Sequence, residues 1–480
     1  MRRSKRVAKI AACVLVGVMA MQLSGCGDKK VDYSIDGDSQ MSETGDEAGG
    51  SEKSALAKKL GVPDSCDLTF DVGKSGLSVI SCKDDDIEIP DSDRMKKAEF
   101  SVFSLGAAQI QAIVEGLLDK SQGIQVRKDG VMTKSELQDL IDQTQGFKED
   151  STSNGDDTIG SWYDTQIETY KKQMADAPDA LPELENYDDP YCEYVGMNGD
   201  HKYSLSFSQA RDNNTDAGIS ISFAPIIDDE NIELKKVDGA QYTYLTGASS
   251  VDSIDHENIQ NNCQINEEAA KDSARNFLSS INVEGMECTK VEPLVRVWSS
   301  DDGDELKTEV NGYAVSFSRV ISGGDFVMSG LYNVDNLQNS SGYFYDSTDM
   351  ANVYVNDEGV INMYANIYTD PQSVKEEDVE ILSWNDMLEK AQTSIAEYYE
   401  KYQTRYGKVE FNNVTLGYMP VMEDDGKTYY IPVWAFKQTE ELRDQGSDAE
   451  VIQAVLINAM DGSYIDIIEN AKNIKLWDSF

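Results

Sequence analysis

Histidine is almost missing from this 480-residue chain: His201 and His256 are the whole supply. They fall on different segments without zinc-ligand companions, which argues against a histidine-based zinc site or a Ser-His-Asp triad. His201, beside Lys202, reads as a surface residue at the start of a strand. No G-x-S-x-G elbow, H-E-x-x-H, P-loop or G-x-G-x-x-G occurs. Basic residues are scarce, 42 against 87 acidic, for a formal net charge of −45. Such a chain is repelled by nucleic acid and by anionic lipid head groups, and the same balance keeps an acidic extracellular protein soluble. With so many carboxylates, acid pairs arise anywhere, so spacing alone gives no support to a two-carboxylate hydrolase. Three oxygen-rich loops, at residues 212–216, 301–305 and 423–426, miss the twelve-residue EF-hand pattern and read as solvated hairpin turns. No cofactor or metal is expected. The apolar run Ile10 to Met21 is too short to span a bilayer as a helix.

That run belongs to an address. Arg2, Arg3, Lys5, Arg6 and Lys9 precede it, and Leu23-Ser24-Gly25-Cys26 follows. A basic start, an apolar middle and small residues at a cleavage point make residues 1–26 a signal peptide with a lipobox. The segment resembles that of bacterial lipoproteins. The resemblance implies that the Cys26 thiol takes a diacylglycerol and becomes the new N-terminus, anchoring the chain in the lipid bilayer on its extracytoplasmic face. Two buried acyl chains hold firmly, at about 0.8 kcal/mol per methylene. Residues 27–55 are acidic and glycine-rich with little to bury, and are expected to form a disordered tether.

The later half carries a repeat. In the second copy, residues 380–480, the helix WNDMLEKAQTSIAEYYEKY precedes VEFNNVTLGYMPV, KTYYIPVWAFK and VIQAVLINAMDGSYIDII. In the first, residues 265–370, NEEAAKDSARNFLSSI precedes CTKVEPLVRVW, GYAVSFSRVI and ANVYVNDEGVINMYANI. Ser383 with Asp386, and Asn266 before Glu267 and Glu268, are helix-start signals. Each helix has one apolar stripe suited to lying on a sheet. Asp461-Gly462 is a hairpin signal, and Asp357-Glu358-Gly359 is its looser counterpart. The polar stretch Asn333 to Asp349 reads as a loop inserted in the first copy. Each copy is therefore expected to be helix, three strands, tight turn, strand.

Residues 56–250 are expected to form a separate N-terminal α+β domain, with residues 251–264 as the linker that follows. Its predicted strands flank Gly73-Lys74-Ser75-Gly76 and lie at Lys202–Gln209 and Ala217–Ala224. Its predicted helices lie at Gly106–Leu118, at Lys134–Gln143 started by Thr133 and Glu136, and at Trp162–Asp176, with Ser151–Gly160 as a polar loop. A third, diverged copy of the repeat is one reading of this region. Cys66 and Cys82 close the first hairpin and form the leading candidate disulfide; Cys263 and Cys288 form the second. Five buried, reduced thiols is the alternative, since a chain of this size needs no staples. Tyr429, Tyr430, Trp434 and Phe436 are candidate binding residues, as groove lining or as an exposed edge that adds a partner's strand. Sheet core is the competing role for side chains at strand spacing.

The helix, LGYMPV, PVW and INAMDGSYID of the second copy resemble PepSY-type modules of bacterial envelope proteins, and tandem modules of YycH/YycI-type regulators. The whole mature chain is similar to a family of clostridial-type Gram-positive lipoproteins. These resemblances imply small antiparallel sheets carrying one helix each, an extracellular place, and binding or regulatory work. The fold class expected is α+β: tandem small antiparallel sheets, each packed with a helix, after an α/β N-terminal region. The leading function is a non-enzymatic, membrane-anchored lipoprotein acting on an envelope protein partner. A solute- or glycan-binding lipoprotein and a carboxylate-dependent hydrolase are the alternatives.

Overall fold

A computed structural model describes residues 53–71, 77–82, 87–128, 131–153, 157–187, 192–209, 218–226, 237, 239–240, 242–251, 254, 259–300, 303–321, 349–402, 408–437, 455–466, 469–470 and 473–474. The signal peptide, Cys26, residues 27–52 of the expected tether, His256 and most of the loop expected at 333–349 lie outside these residues, while Ser54 and Ala55, at the tether's expected end, already cap and begin the first helix. No described helix is long and apolar enough to cross a membrane.

The fold is α+β. Along the chain the described helices are α1 (Ala55–Leu60), α2 (Ala107–Leu117), α3 (Lys134–Ser153), α4 (Asp157–Asp176), α5 (Glu267–Ser280) and α6 (Trp384–Tyr402). The first strands are β1 (Cys66–Asp71), β2 (Leu77–Cys82), β3 (Ile87–Glu88), β4 (Met95–Phe100), β5 (Gln125–Lys128), β6 (Cys192–Asn198), β7 (His201–Gln209), β8 (Ile219–Pro225) and β9 (Tyr242–Gly247). The first repeat supplies β10 (Met286–Ser299), β11 (Glu305–Arg319), β12 (Met350–Asn356) and β13 (Gly359–Ile367), followed by β14 (Lys375–Val379). The second supplies β15 (Lys408–Phe411), β16 (Asn413–Met422), β17 (Thr428–Lys437), β18 (Val455–Asn458) and β19 (Tyr464–Ile465).

The first repeat has the expected order; in the second, the one strand expected over VEFNNVTLGYMPV breaks at Asn412 into β15 and β16, which lie in different sheets, and the helix caps of both form as their sequences demand. The Asn266 side chain accepts the Ala269 N–H at 2.9 Å, and Ser383 Oγ accepts the Asp386 N–H at 3.3 Å. Ala270, Ala274 and Leu278 are the buried stripe of α5, and Trp384, Met387, Ala391 and Ile395 that of α6. One correction concerns the loop expected at Ser151–Gly160: α3 runs through Ser153 and α4 starts at Asp157, so most of it is helix. Helical hydrogen bonding continues through polar residues because two paired helices need only one apolar stripe each. Leu137, Leu140 and Ile141 meet Ile167 and Tyr170 between them.

Among the described residues, 56–250 form no sheet of their own, which corrects the expected separate domain. Their later strands form a nine-stranded sheet with the first repeat, in the order β5-β6-β7-β8-β13-β12-β11-β10-β9. Their earlier strand β4 joins β14, β17, β16 and β3 in a seven-stranded sheet that also holds β18 and β19. The hairpin β1–β2 forms a third sheet, with β15 parallel to β2. The pairing follows from burial: β8 and β13 each have one apolar face, and edge-to-edge union extends one core beneath both.

In the nine-stranded sheet, α2 followed by β5 to β8 mirrors α5 followed by β10 to β13. The last strands of the two units pair antiparallel, with Ile221 opposite Ala365. Both helices press on one core containing Leu205, Ile221, Phe223, Val315, Val353 and Ala365. This is the plan of a third copy, with α3 and α4 inserted after its first strand. At the seam Gly218 has φ +85°, and a Cβ there would stand 2.4 Å from the Ile367 carbonyl oxygen. Only glycine allows that approach.

Candidate functional site

The face of the nine-stranded sheet opposite α2 and α5 has an unusual makeup. Strand residues alternate between faces, so the positions between the buried Leu205, Phe207, Ile221, Phe223, Val353 and Met363 point the other way. Those positions hold Ser206, Ser208, Ser220, Ser222, Asn352, Tyr354, Asn362, Tyr364 and Asn366. Register aligns them in rows across strands. One row runs Arg127, Glu193, Ser206, Ser222, Tyr364, Asn352, Ser316, Lys290, from β5 to β10. Its ends are charged and its middle is not. The next row reads Ser208, Ser220, Asn366, Met350, Ser318. In a chain that is 27% charged, this is a neutral field of hydroxyls and amides bearing two tyrosines.

Side chains on the field are ordered by one another. Ser316 Oγ donates to Asn352 Oδ1 at 2.8 Å. The Tyr364 hydroxyl donates to Asn366 Oδ1 at 3.0 Å, and Ser220 donates to the same oxygen. Most of these residues are half-buried, while Asn366 is buried. Hydroxyls and amides both donate and accept, and tyrosine adds a rigid amphipathic ring, so the field can bind polar groups without a counter-charge.

Each end of the field is fixed by ions. At the β5 end, Arg127 Nε meets Glu193 and its guanidinium forks onto both carboxylate oxygens of Glu136 at the start of α3. Glu136 also completes the expected capping box, accepting the Thr133 N–H at 2.7 Å. Burial opposes its charge, but the bonds from Arg127 and Thr133 hold its carboxyl below the usual glutamate range. At the other end Lys290 Nζ donates to Ser249 Oγ at 2.7 Å and lies 3.3 Å from Glu292. His201 starts β7 as expected, with its side chain 53% exposed and 3.8 Å from Glu358.

A buried ion pair of the nine-stranded sheet, which sequence reading missed, reaches the seven-stranded sheet through the Tyr430 hydroxyl. Asp349 Oδ1 accepts the N–H groups of Tyr368 (3.1 Å) and Thr369 (3.0 Å). Its Oδ2 accepts the Thr369 hydroxyl and the Tyr430 hydroxyl, the latter at 2.9 Å, and stands 3.1 Å from Arg319 Nε. Arg319 donates onward to the carbonyls of Gly285 and Glu284, both at 3.2 Å. Gly285 has φ +74°, and a Cβ there would meet the guanidinium at 2.4 Å. Phe100 of β4 stacks on Tyr430 at 4.2 Å. Burial opposes the charge of Arg319, yet the adjacent Asp349 carboxylate keeps its pKa above the ordinary value. Asp349 sits in the stretch read as an inserted polar loop, and nothing in its local sequence separates it from the other acids.

The tyrosine-rich strand expected to bind is core instead. Tyr430, Trp434 and Phe436 are fully buried and Tyr429 is 9% exposed. β17 lies inside its sheet, with β16 on one side and β4 and β18 sharing the other, so it offers neither a groove nor an edge. Trp384 packs edge-on against Trp434 at 5.5 Å, filling one face. Tyr429 is spoken for at its tip: its hydroxyl donates to Asp425 at 2.7 Å, and Lys97 Nζ lies 4.0 Å above its ring. Its hydroxyl pKa rises to about 12, chiefly through the Asp425 hydrogen bond.

Among the described residues the outermost strands are β5 and β9 in the nine-stranded sheet, β14 and β3 in the seven-stranded one, and β1 and β15 in the third, and β14 and β9 contrast most. Strand β14, KEEDV, is charged and laddered to β4 through Lys96–Glu376 and Arg94–Asp378, the usual guard against added strands. Strand β9, YTYLTG, carries no charge, and Tyr244 on it is 49% exposed. The turn at 423–426 is a hairpin whose Asp425 accepts the Lys427 N–H at 3.0 Å and whose Glu423 pairs with Lys97. Residues 212–216 and 301–302 of the other oxygen-rich loops lie outside the described residues. Among the described residues no group of three or more metal-ligating side chains converges.

No family model and no curated protein matches this chain. Among solved structures, that of an uncharacterized protein from Eubacterium rectale ATCC 33656 is similar over 86% of this chain and 98% of that chain, at 13% identity and a TM-score of 0.36.

Proposed function

We propose that this protein is a lipid-anchored, non-enzymatic lipoprotein of the cell envelope that holds a partner protein on the neutral face of its nine-stranded sheet. The observation that carries the reading is the uncharged middle of the row from Ser206 to Ser316 in a strongly acidic chain. Interface centres are depleted of charge, and recognition surfaces of the paratope type combine rigid tyrosine with adaptable serine and asparagine, which is the composition of this row. The lipobox at Leu23–Cys26 supports the address. The 27 positions from Cys26 to Lys53 span roughly 90 Å at full extension, enough to carry the folded body clear of head groups. The resemblance to PepSY-type modules points the same way, toward binding or regulation. The uncharged edge β9 adds a second surface, suited to a partner's extended segment.

A second reading is favoured by the side-chain chemistry itself. Hydroxyls, amides and the rings of Tyr354 and Tyr364 are also what a neutral glycan needs, with hydrogen bonds for its hydroxyls and a flat apolar surface for its ring. Capture from chemically crosslinked membranes separates the two. Wild type is expected to return one recurrent envelope protein, and a Ser222→Glu/Ser316→Glu variant to lose at least about tenfold of it, or some 1.4 kcal/mol. Return of wall fragments alone would move the reading to the glycan. Undiminished capture by the variant would remove the face from either.

A further inference from the structure

Two cysteines in the third sheet have no part in the neutral face. Cys66 opens β1, Cys82 closes β2, and the two are partners in antiparallel register. Directly opposed residues point to the same face, with Cα atoms about 4.5 or 5.5 Å apart according to the type of pair. Both separations fall inside the roughly 4.4–6.8 Å range of disulfides. Both side chains are buried in one apolar core with Ile80, Phe411 and Phe436. The remaining cysteines are placed apart from them and from one another. Cys192 opens β6 in the other core, Cys263 Sγ donates to Asp357 at 3.1 Å, and Cys288 Sγ lies 3.7 Å from the Lys290 carbonyl oxygen.

We propose that Cys66 and Cys82 are a modification site, closed into a cross-strand disulfide by exchange with an oxidant of the disulfide class. One cysteine thiolate attacks the oxidant's S–S bond, forming a mixed disulfide and releasing one thiolate. The second cysteine thiolate attacks the protein sulfur of that mixed disulfide, forming the Cys66–Cys82 bond and releasing the other half of the oxidant. Two electrons leave the protein sulfurs and reduce the oxidant to two thiols, which take up the two protons. The reaction belongs to folding rather than to the folded state. Burial, with Asp67 adding to it, pushes the Cys66 thiol above its ordinary pKa, so little thiolate is available once the core has closed. The bond would tie the hairpin at the end remote from its connection, beside the parallel pairing of β2 with β15 that leads into the second repeat.

Peptide mapping of the refolded full-length chain tests this. One sample is refolded with oxidised and reduced glutathione and another with dithiothreitol; both are denatured, alkylated and digested with trypsin. Cleavage at Lys74 separates Cys66 from Cys82, so the two peptides stay together only through a sulfur–sulfur bond. In the glutathione sample the expected product is that linked pair, about 2 Da lighter than the two reduced peptides together and free of alkyl label. In the dithiothreitol sample both peptides should be separate and labelled. The urea midpoint should be higher for the oxidised sample of the wild type and independent of the refolding buffer in a Cys66→Ser/Cys82→Ser variant. Equal labelling of both cysteines in the two samples, or a bond from either to a different cysteine, overturns the proposal.

Discussion

The two large sheets spend alternate residues in opposite ways. In the seven-stranded sheet, β17 is buried from Thr428 to Phe436 on both faces. In the nine-stranded sheet, β8 and β12 are buried at every second position only, and the positions between carry serine, asparagine and tyrosine. A strand closed on both sides has no surface to offer, however aromatic it is. A strand closed on one side must show the other to something. On the function proposed above, recognition would fall to the plainer residues, Ser222 and Asn352, while the showier ones, Tyr430 and Trp434, are core.

Breaking the buried ion pair should have the largest effect. Asp349→Ala leaves Arg319 buried without its counter-ion and is expected to cost about 3–5 kcal/mol, read as a lower urea midpoint. A loss under about 1 kcal/mol would mean that Arg319 does not depend on Asp349 for its burial. Trp434→Ala should cost a similar or slightly smaller amount, about 3–5 kcal/mol, because it empties a large volume inside a core packed on both faces. Ser222→Ala on the neutral face should stay within about 0.5 kcal/mol of wild type. If the two substitutions destabilise equally, the distinction between the sheets fails.

The smallest effect expected is one of pH, at the end of the neutral face. Glu136 titrates lower in the folded chain than in the unfolded one, where a glutamate lies near 4.3. The stability it contributes is therefore complete above that value and is lost as pH falls through the lower, folded one. Glu136→Gln should flatten the acid limb of a stability profile and leave the neutral limb parallel to wild type. An unchanged acid limb would show that the Arg127–Glu136 fork contributes nothing to docking α3.

How much of this the sequence disclosed depends on the range of the interaction. Caps are local, so Asn266, Ser383 and Thr133 could be read directly; Asp461-Gly462 marks a turn, but one that runs from Ala459 to Ser463 rather than the two-residue hairpin expected. Strand order within the first repeat was legible for the same reason, since hydrophobic alternation and turn residues lie within a few positions of one another, whereas the break between β15 and β16 in the second follows from their joining different sheets. Sheet membership is not local. The pairing of Ile221 with Ala365 spans the boundary drawn between the N-terminal region and the first repeat, and no neighbouring residue announces it. The tyrosines of β17 misled because strand spacing is the same for a groove and for a core, and only the arrival of β4 and β18 on its far side decides between them. The neutral face escaped notice because serine and asparagine carry no signal singly; their meaning comes from register across strands.

Site-specific photo-crosslinking in cells tests the central claim most directly. A photoreactive residue is placed at Ser222 on the neutral face and, separately, at Glu268 on the exposed side of α5, across the sheet. The account predicts one recurrent adduct from position 222 and none above background from position 268. The same adducts from both positions, or adducts from 268 alone, would contradict it.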